Sequence, residues 1–353
     1  MPRVDYLVLT RLAGRIGLTV LVVFGIIFLV EGLDSWRTGH LLRIGGPLLG
    51  MAGSAISAAS WSLEVLPITV LIGAVVGLLE LRMRLELPII SASGISIWRV
   101  LRAPLLAVMV FGVFLAFVGD GALVVLARAM SANLPAANSG DELWLKQRGG
   151  DLGNYVLVSR HPHPGGAVLE EVTFFVPGLP DGPRIEAPRA ELRDGAWQIP
   201  AGTQYSARQR ARALVDYSIP TTSTPGDMGA RLASPHDMTF LELLQLGSRR
   251  VTEPALKTGI VMRVSTLIAL PLTLAASLLI AFAFTTGYRR TNKYGTTVLY
   301  GIVLGFVFYV VTDLARRAGY AGVLQPTIAA FGPALVAMVV GTTVLLFKED
   351  GRT

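Results

Sequence analysis

The sequence predicts a membrane α-helical protein: six transmembrane helices in a three-plus-three plan around an inserted all-β domain of jelly-roll or sandwich type, placed outside the cytoplasm. Three observations carry this. Across 353 residues, 52% of side chains are hydrophobic and only 16% charged, against roughly a quarter charged in soluble domains. The apolar runs fall into two groups of three. Between them, 131–257 is polar and broken by Pro-Gly, Asp-Gly and Gly-Gly dipeptides that mark turns between short strands. The expected domains are 1–130 with spans one to three and a short helix near 84–94, 131–257 as the β domain, and 258–353 with spans four to six.

Span one covers Ile16 to about Leu33 and follows Arg3, Arg11 and Arg15. After Val30 comes Glu31-Gly32-Leu33-Asp34 rather than a small-residue cleavage site, so the run reads as an uncleaved span and not a signal peptide. Between Glu64 and Glu80 the apolar run is too short to cross a ~30 Å core at ~1.5 Å per residue. Span two therefore extends upstream into the Gly/Ala/Ser-rich stretch 44–63 and keeps Glu64 inside its helix; a separate extra span there is the alternative. Span three covers about Ala103–Ala127 and contains Asp120, span four Val264–Gly287 with Pro271 tolerated inside it, span five Gly295–Thr312 and span six Pro326–Phe347.

The net charge of +7 is interpreted by its location. Of 31 Lys/Arg and 24 Asp/Glu, residues 131–257 hold 13 and 14, so the excess lies beside the apolar runs. That is a topology signal, and no nucleic-acid motif accompanies it. Arg3, Arg11, Arg15, Arg82, Arg84, Arg99, Arg102, Arg289, Arg290, Lys293, Lys348 and Arg352 fall on one side, against Arg37, Arg43, Arg316 and Arg317 in the short loops of the other. Both termini are expected in the cytoplasm and the insert outside, which is the periplasm in a cell with an outer membrane.

Within the insert, Arg184–Ile199 alternates about Asp194-Gly195 as a hairpin with one packed face should. Arg208, Arg210 and Arg212 recur at period two, so on one strand they would share a face and form an anion-binding strip; a solvated basic face is the plainer reading. His161-Pro162-His163-Pro164 reads as a turn more than a metal site. With no cysteine, a disulfide framework, a thiolate zinc site and a cysteine nucleophile are excluded, and no cofactor or metal is expected.

No Gly-Lys-Ser/Thr phosphate loop exists: of four lysines, only Lys257 precedes a threonine, and it follows Leu256. Uphill transport would need energy from another chain or an ion gradient. Leu81–Ser96, after span two, is short, amphipathic and close to the membrane. Arg84 and Glu86 at its start, apolar Ile89 and Ile90, and a stop at Gly94 suit a helix that docks in a partner's groove; an interfacial helix lying on lipid is the alternative.

Several of these motifs resemble one family in order and spacing: Glu86…Gly94-Ile95-Ser96 after span two, the hairpin with Ala187, Ala190, Asp194-Gly195 and Trp197, and the three-plus-three layout. Together they look like the lipopolysaccharide-export permease family, LptF/LptG. The exit Glu31-Gly32-Leu33-Asp34 from span one and the run Leu324–Pro333 into span six are more similar to LptG. Pro88 in the docking helix and Phe331, where tryptophan is common, depart from the pattern; proline is tolerable in a first helical turn.

The resemblance implies a non-catalytic subunit of an ABC transporter. Its expected partners are a paralogous permease in a heterodimer, two copies of a cytoplasmic ATPase, and a single-span protein with its own jelly roll; its cargo is lipopolysaccharide, extracted from the inner membrane and passed toward the outer membrane. An apolar cavity rimmed by cations suits such a cargo. Arg37, His40 and Arg43 after span one, and Arg316 and Arg317 after span five, are the candidate lipid-facing cations. Glu64, Asp120 and Asp313 at membrane depth would suit an ion-coupled secondary transporter, but capping, pairing with Arg128 or Arg263, or exposure to water explains them more simply. A sensor with an extracytoplasmic β domain is a third reading.

Overall fold

A computed structural model of the chain describes residues 2–33, 35–132, 143–162, 167–177, 184–206, 210–224, 228, 236, 238–248, 254–285 and 294–350. Helices α1 (Pro2–Leu33), α2 (Ser35–Glu64), α3 (Leu66–Met83), α4 (Glu86–Ala92) and α5 (Ile97–Phe114) lead through a π-helical turn, Leu115–Gly119, into α6 (Asp120–Ala132). After the insert come α7 (Phe240–Ser248), α8 (Pro254–Thr285), α9 (Tyr294–Tyr320) and α10 (Pro326–Asp350). Among the described residues, six helical stretches are long and apolar enough to cross a membrane: Val4–Leu33, Leu66–Met83, Ile97–Met130, Leu256–Thr285, Leu299–Tyr320 and Pro326–Phe347. These and an all-β insert are the architecture expected from the sequence.

Span two differs in detail. The 18 residues of α3 rise only ~27 Å. Glu64 closes α2 instead of lying within a continuous helix, because Pro67 in the first turn of α3 has no N–H to continue the ladder. The bend at Val65 is nevertheless bridged, by Val65 N–H to the Trp61 carbonyl at 3.2 Å and Thr69 N–H to the Val65 carbonyl at 3.1 Å. Upstream, α2 begins at Ser35 and is itself kinked at Gly46, whose φ of 71° is left-handed, just before Pro47.

The chain forms two units. In the helical unit, Met1–Ser131 with Thr239–Leu244 and Thr258–Thr353, α3 lies between α1 and α9. Small residues bring these backbones close: a Cβ on Gly73 would stand 2.7 Å from the Ile16 Cα, and one on Gly301 2.7 Å from the Val75 side chain. Without a hydrophobic drive between lipid-immersed helices, such contact supplies the dispersion that holds them together. Buried Leu12, Leu71, Leu78, Leu101 and Phe282 join α1, α3, α5 and α8 in one core.

The second unit, Ala132–Met238 with Gln245–Lys257, holds the β domain. Its strands are β1 (Leu143–Arg148), β2 (Asn154–Pro162), β3 (Val168–Phe175), β4 (Arg184–Arg193), β5 (Ala196–Tyr205) and β6 (Arg212–Pro220). All pair antiparallel in chain order. Asp194 and Gly195 join β4 to β5 with φ of 51° and 73°, the two left-handed residues that a type I′ hairpin turn requires. Of the predicted turn His161-Pro162-His163-Pro164, His161 and Pro162 extend β2 opposite Glu170 and Leu169, and His163 and Pro164 lie outside the described residues.

A crease explains how one meander encloses a core. Inward-facing residues alternate along each strand, but two successive residues face outward at Glu170–Glu171, Pro188–Arg189, Pro200–Ala201 and Val215–Asp216. Those positions adjoin in the register. Glu171 and Asp216 adopt left-handed φ of 48° and 49°, and Pro188 and Pro200 omit ladder donors. The phase of the side chains shifts there, so the sheet folds over instead of extending flat. The folded sheet buries Tyr155, Leu157, Phe174, Ile185, Trp197 and Ile199 together.

Candidate functional site

The corner between α3 and α4 is built by Leu85, whose φ of 59° reverses the chain. Glu86 opens α4, and its first helical bond runs from Ile89 N–H to the Leu85 carbonyl at 3.1 Å. Pro88 therefore lies in the first turn, where its missing N–H breaks no bond. Gly94 ends the helix at φ 78°, a left-handed conformation that a residue with a Cβ adopts only under strain. Ser96 then caps α5, its hydroxyl accepting from the Trp98 N–H at 3.2 Å.

This short helix splits the apolar pair named from the sequence. Ile90 is 9% exposed and packs with Leu87, Val100 and Leu101 in the helical core, whereas Ile89 is 66% exposed. Met83, Leu85 and Pro88 are exposed beside Ile89. Glu86 is turned back, its carboxylate 4.0 Å from the Arg11 guanidinium, with Oε2 buried and making no hydrogen bond. Arg84 is exposed and donates to the Glu80 carboxylate at 3.1 Å.

Glu80 also receives the Arg15 guanidinium on its other oxygen. Arg11 and Arg15 lie one turn apart on α1 and face Glu80 and Glu86, the two acids flanking the corner. The result is a two-rung ionic ladder between α1 and the α3–α4 corner, close to where Gly77 meets Leu12. Arg82 donates to the Thr285 carbonyl at the end of α8 at 3.4 Å, so the same end of the bundle gathers the C-termini of α3 and α8.

Further along the 34-residue helical stretch Ile97–Met130, with Asp120 about 35 Å beyond Ile97 at ~1.5 Å per residue, charges are paired. Asp120 accepts from Arg263 at 2.5 Å, both side chains nearly buried. Asp313 accepts from Arg316 at 3.1 Å and from Arg317 at 2.6 Å, spacings of three and four residues on its own helix. Of the two arginines proposed to meet lipid, Arg316 is thus largely buried against Asp313, while Arg317 is 77% exposed beyond it.

Arg128 forms a two-pronged bond to Glu242, 2.7 Å on each oxygen, joining α6 to α7. Phe117 meets Phe240 edge-on with ring centroids 4.7 Å apart. Thr239 N–H donates to Glu242 at 2.8 Å, completing the back-bond of a capping box. The Arg128 guanidinium holds the Glu242 carboxyl down to about 2. Sequence reading passed over Glu242, although Thr239-Phe240-Leu241-Glu242 before an apolar run is the local signature of such a box.

The remaining basic candidates do not form one patch among the described residues. Arg208 and the side chains of Arg37, His40 and Arg43 lie outside those residues. Arg210 precedes β6, and Arg212 is its first residue, both exposed. The shared strand face expected for the three arginines is not formed over these two, because β6 begins only at Arg212.

Inside the β domain, Gln147 is a polar hub. Its Oε1 accepts from the Tyr155 hydroxyl at 3.0 Å, the Trp197 indole N–H at 2.9 Å and the Thr221 hydroxyl at 2.6 Å. These bonds satisfy the polar tips of the two largest buried aromatic residues, whose apolar bodies fill the core. Burial pushes the Tyr155 phenol up to about 12.

A search of curated proteins returns no match. The family described as lipopolysaccharide export system permease LptF/LptG matches residues 7–347, which covers both helical triplets and the β insert between them. An apolar bundle carrying a short helix at one end and an antiparallel insert between its halves is thus assigned by nearly its whole length: the chain belongs to the LptF/LptG family of lipopolysaccharide-export permeases.

Proposed function

We propose that this multi-pass inner-membrane permease works as the non-catalytic membrane subunit of an ABC transporter. It would pair with a paralogous permease, receive force from two copies of a cytoplasmic ATPase, and hand lipopolysaccharide to a single-span jelly-roll partner in the periplasm. Both termini lie in the cytoplasm and the β domain in the periplasm, as the twelve-to-four distribution of basic residues across the spans favours.

The observation that carries the reading is the α3–α4 corner. It presents Met83, Leu85, Pro88 and Ile89 outward, while Leu87 and Ile90 anchor it in the core. An apolar knob on a firmly packed base suits a groove in a force-delivering partner. Through the ladder to Arg11 and Arg15, a displacement of the corner moves span one with it. Span one exposes Leu18, Leu21, Val22, Ile26 and Leu29, an apolar surface that suits acyl chains or the paralogous subunit. Arg37, His40, Arg43 and Arg317 are assigned to the anionic head group of the cargo, with Arg210 and Arg212 as further contacts along the insert.

An ion-coupled mechanism is less well supported, since Asp120 and Asp313 are each engaged by arginine, the pairing that acids at membrane depth call for. Co-purification tests the proposal. The wild-type chain is expected to bring down a nucleotide-hydrolysing subunit, and Ile89→Asp or Glu86→Lys to lose it while still inserting. Undiminished recovery with both variants contradicts the assignment of the corner.

A further inference from the structure

The outer face of the β domain carries a cleft with exposed aromatic side chains beside it. The register aligns Trp144, Val158, Thr173, Glu186 and Thr203 in one row across five strands. Beside it runs a second row of Lys146, Val156, Phe175, Arg184 and Tyr205, with Lys146 on the outermost strand and outside the cleft's walls. A cleft of about 410 Å³ lies along the first row, walled by Val158, Arg160, Glu171, Thr173, Arg184, Glu186 and Thr203, and Trp144 pairs with Val158 at its edge.

Two aromatic surfaces accompany the cleft. Trp144 is 63% exposed and stacks on Phe175 with the rings within 3° of parallel and centroids 6.4 Å apart. Arg184 lies over the Tyr205 ring, 5.6 Å from its centroid. An indole held flat by a second ring and left open on the sheet's outer face is a platform for a flat, weakly apolar ligand face.

Charge selects the ligand class. Each arginine in the cleft has a carboxylate in reach, Arg160 with Glu171 at 3.8 Å and Arg184 with Glu186. A phosphate or carboxylate ligand calls for cations in excess, which this balanced set does not offer. Guanidinium donors beside carboxylate acceptors, with the Thr173 and Thr203 hydroxyls able to do either, match a ligand rich in hydroxyls that donate and accept together. Glu171 is held in its left-handed conformation on the crease, a constrained backbone of the kind that recurs at ligand clamps.

We propose that this cleft binds the neutral saccharide portion of the exported lipid, so that sugar rings ride the outer face of the insert with one pyranose face on Trp144. The inference rests on the export reading above for the identity of its ligand. It is a weak, repeatedly released contact, as an open cleft with a single platform implies.

The test uses the full-length permease in nanodiscs and, as probe, neutral oligosaccharide released from lipopolysaccharide by mild acid and stripped of phosphate. Saturation-transfer NMR is expected to show transfer to sugar-ring protons, reduced at least fivefold by Trp144→Ala and by Thr203→Val, with Arg193→Ala unchanged. Absence of transfer from the wild-type protein, or equal transfer from all variants, overturns the proposal. Export activity is measured on the same preparations assembled with their partners. Sugar binding at Trp144 without lipid export sustains the cleft and removes the export reading; export without sugar binding removes the cleft alone.

Discussion

The rings of Phe174 and Trp197 pack with centroids 6.3 Å apart, although the strand register separates them widely. Phe174 pairs with Ile185 and Trp197 with Leu192, positions ~23 Å apart along β4 at ~3.3 Å per residue. Only folding of the sheet along the line of Glu171, Pro188, Pro200 and Asp216 brings them together. A sandwich-like core thereby arises from a single meander.

That contact sets the stability of the insert. Trp197→Ala removes a fully buried indole and is expected to cost about 3–5 kcal/mol. Gln147→Leu leaves the Tyr155, Trp197 and Thr221 donors without their shared acceptor, at about 1–3 kcal/mol for each group that water cannot reach. Thermal unfolding of the detergent-solubilised chain, followed by tryptophan fluorescence, is expected to show both losses, with Trp144→Ala near wild type.

The ladder between α1 and the α3–α4 corner predicts non-additivity. Glu80→Gln removes the carboxylate that Arg15 and Arg84 share, and Arg15→Met removes the α1 half of the same rung. The double variant is expected to lose less than the sum of the singles, by about 0.5–3 kcal/mol. Additive thermal shifts would show that the pair is not coupled.

Glu242 gives a pH dependence of known sign. Its carboxyl is depressed to about 2 by Arg128, so its contribution is complete above the unfolded value of ~4.3. It declines as pH falls through that window and is gone below about 2. Because both partners are partly exposed, the effect is at most ~1 kcal/mol. Amide exchange in Phe240–Ser248 is expected to be faster in Glu242→Gln than in wild type at pH 7, with the difference shrinking toward pH 2. An equal difference at both pH values contradicts the ion pair.

What was legible in the sequence is what local pattern encodes. Long apolar runs announced the spans apart from the second, whose run between Glu64 and Glu80 is too short alone, and Asp194-Gly195 between alternating strands announced the hairpin. Other features depend on where distant segments meet. The crease at Glu171 and Asp216 places two acids in left-handed backbone, which no propensity anticipates, and the Arg15–Glu80 rung joins residues 65 apart. That acids at membrane depth need a partner points to Arg128 or Arg263 without saying which acid meets which; Arg263 meets Asp120, and Arg128 meets Glu242, a residue outside the spans. Arg316 and Arg317 were read as lipid-facing, yet their three- and four-residue spacing from Asp313 is itself a helix-pairing signal.

On the proposed topology the α3–α4 corner would meet a cytoplasmic ATPase and the insert would lie across the membrane from it. The chain has no cysteine, so single cysteines at Ile89 and Trp144 report without background. In cells with a permeabilised outer membrane, an impermeant maleimide is expected to label Trp144→Cys and spare Ile89→Cys. A photo-crosslinker on Ile89→Cys is then expected to capture a nucleotide-binding subunit. Labelling with the two positions reversed, or an Ile89 adduct to lipid alone, would contradict the claim.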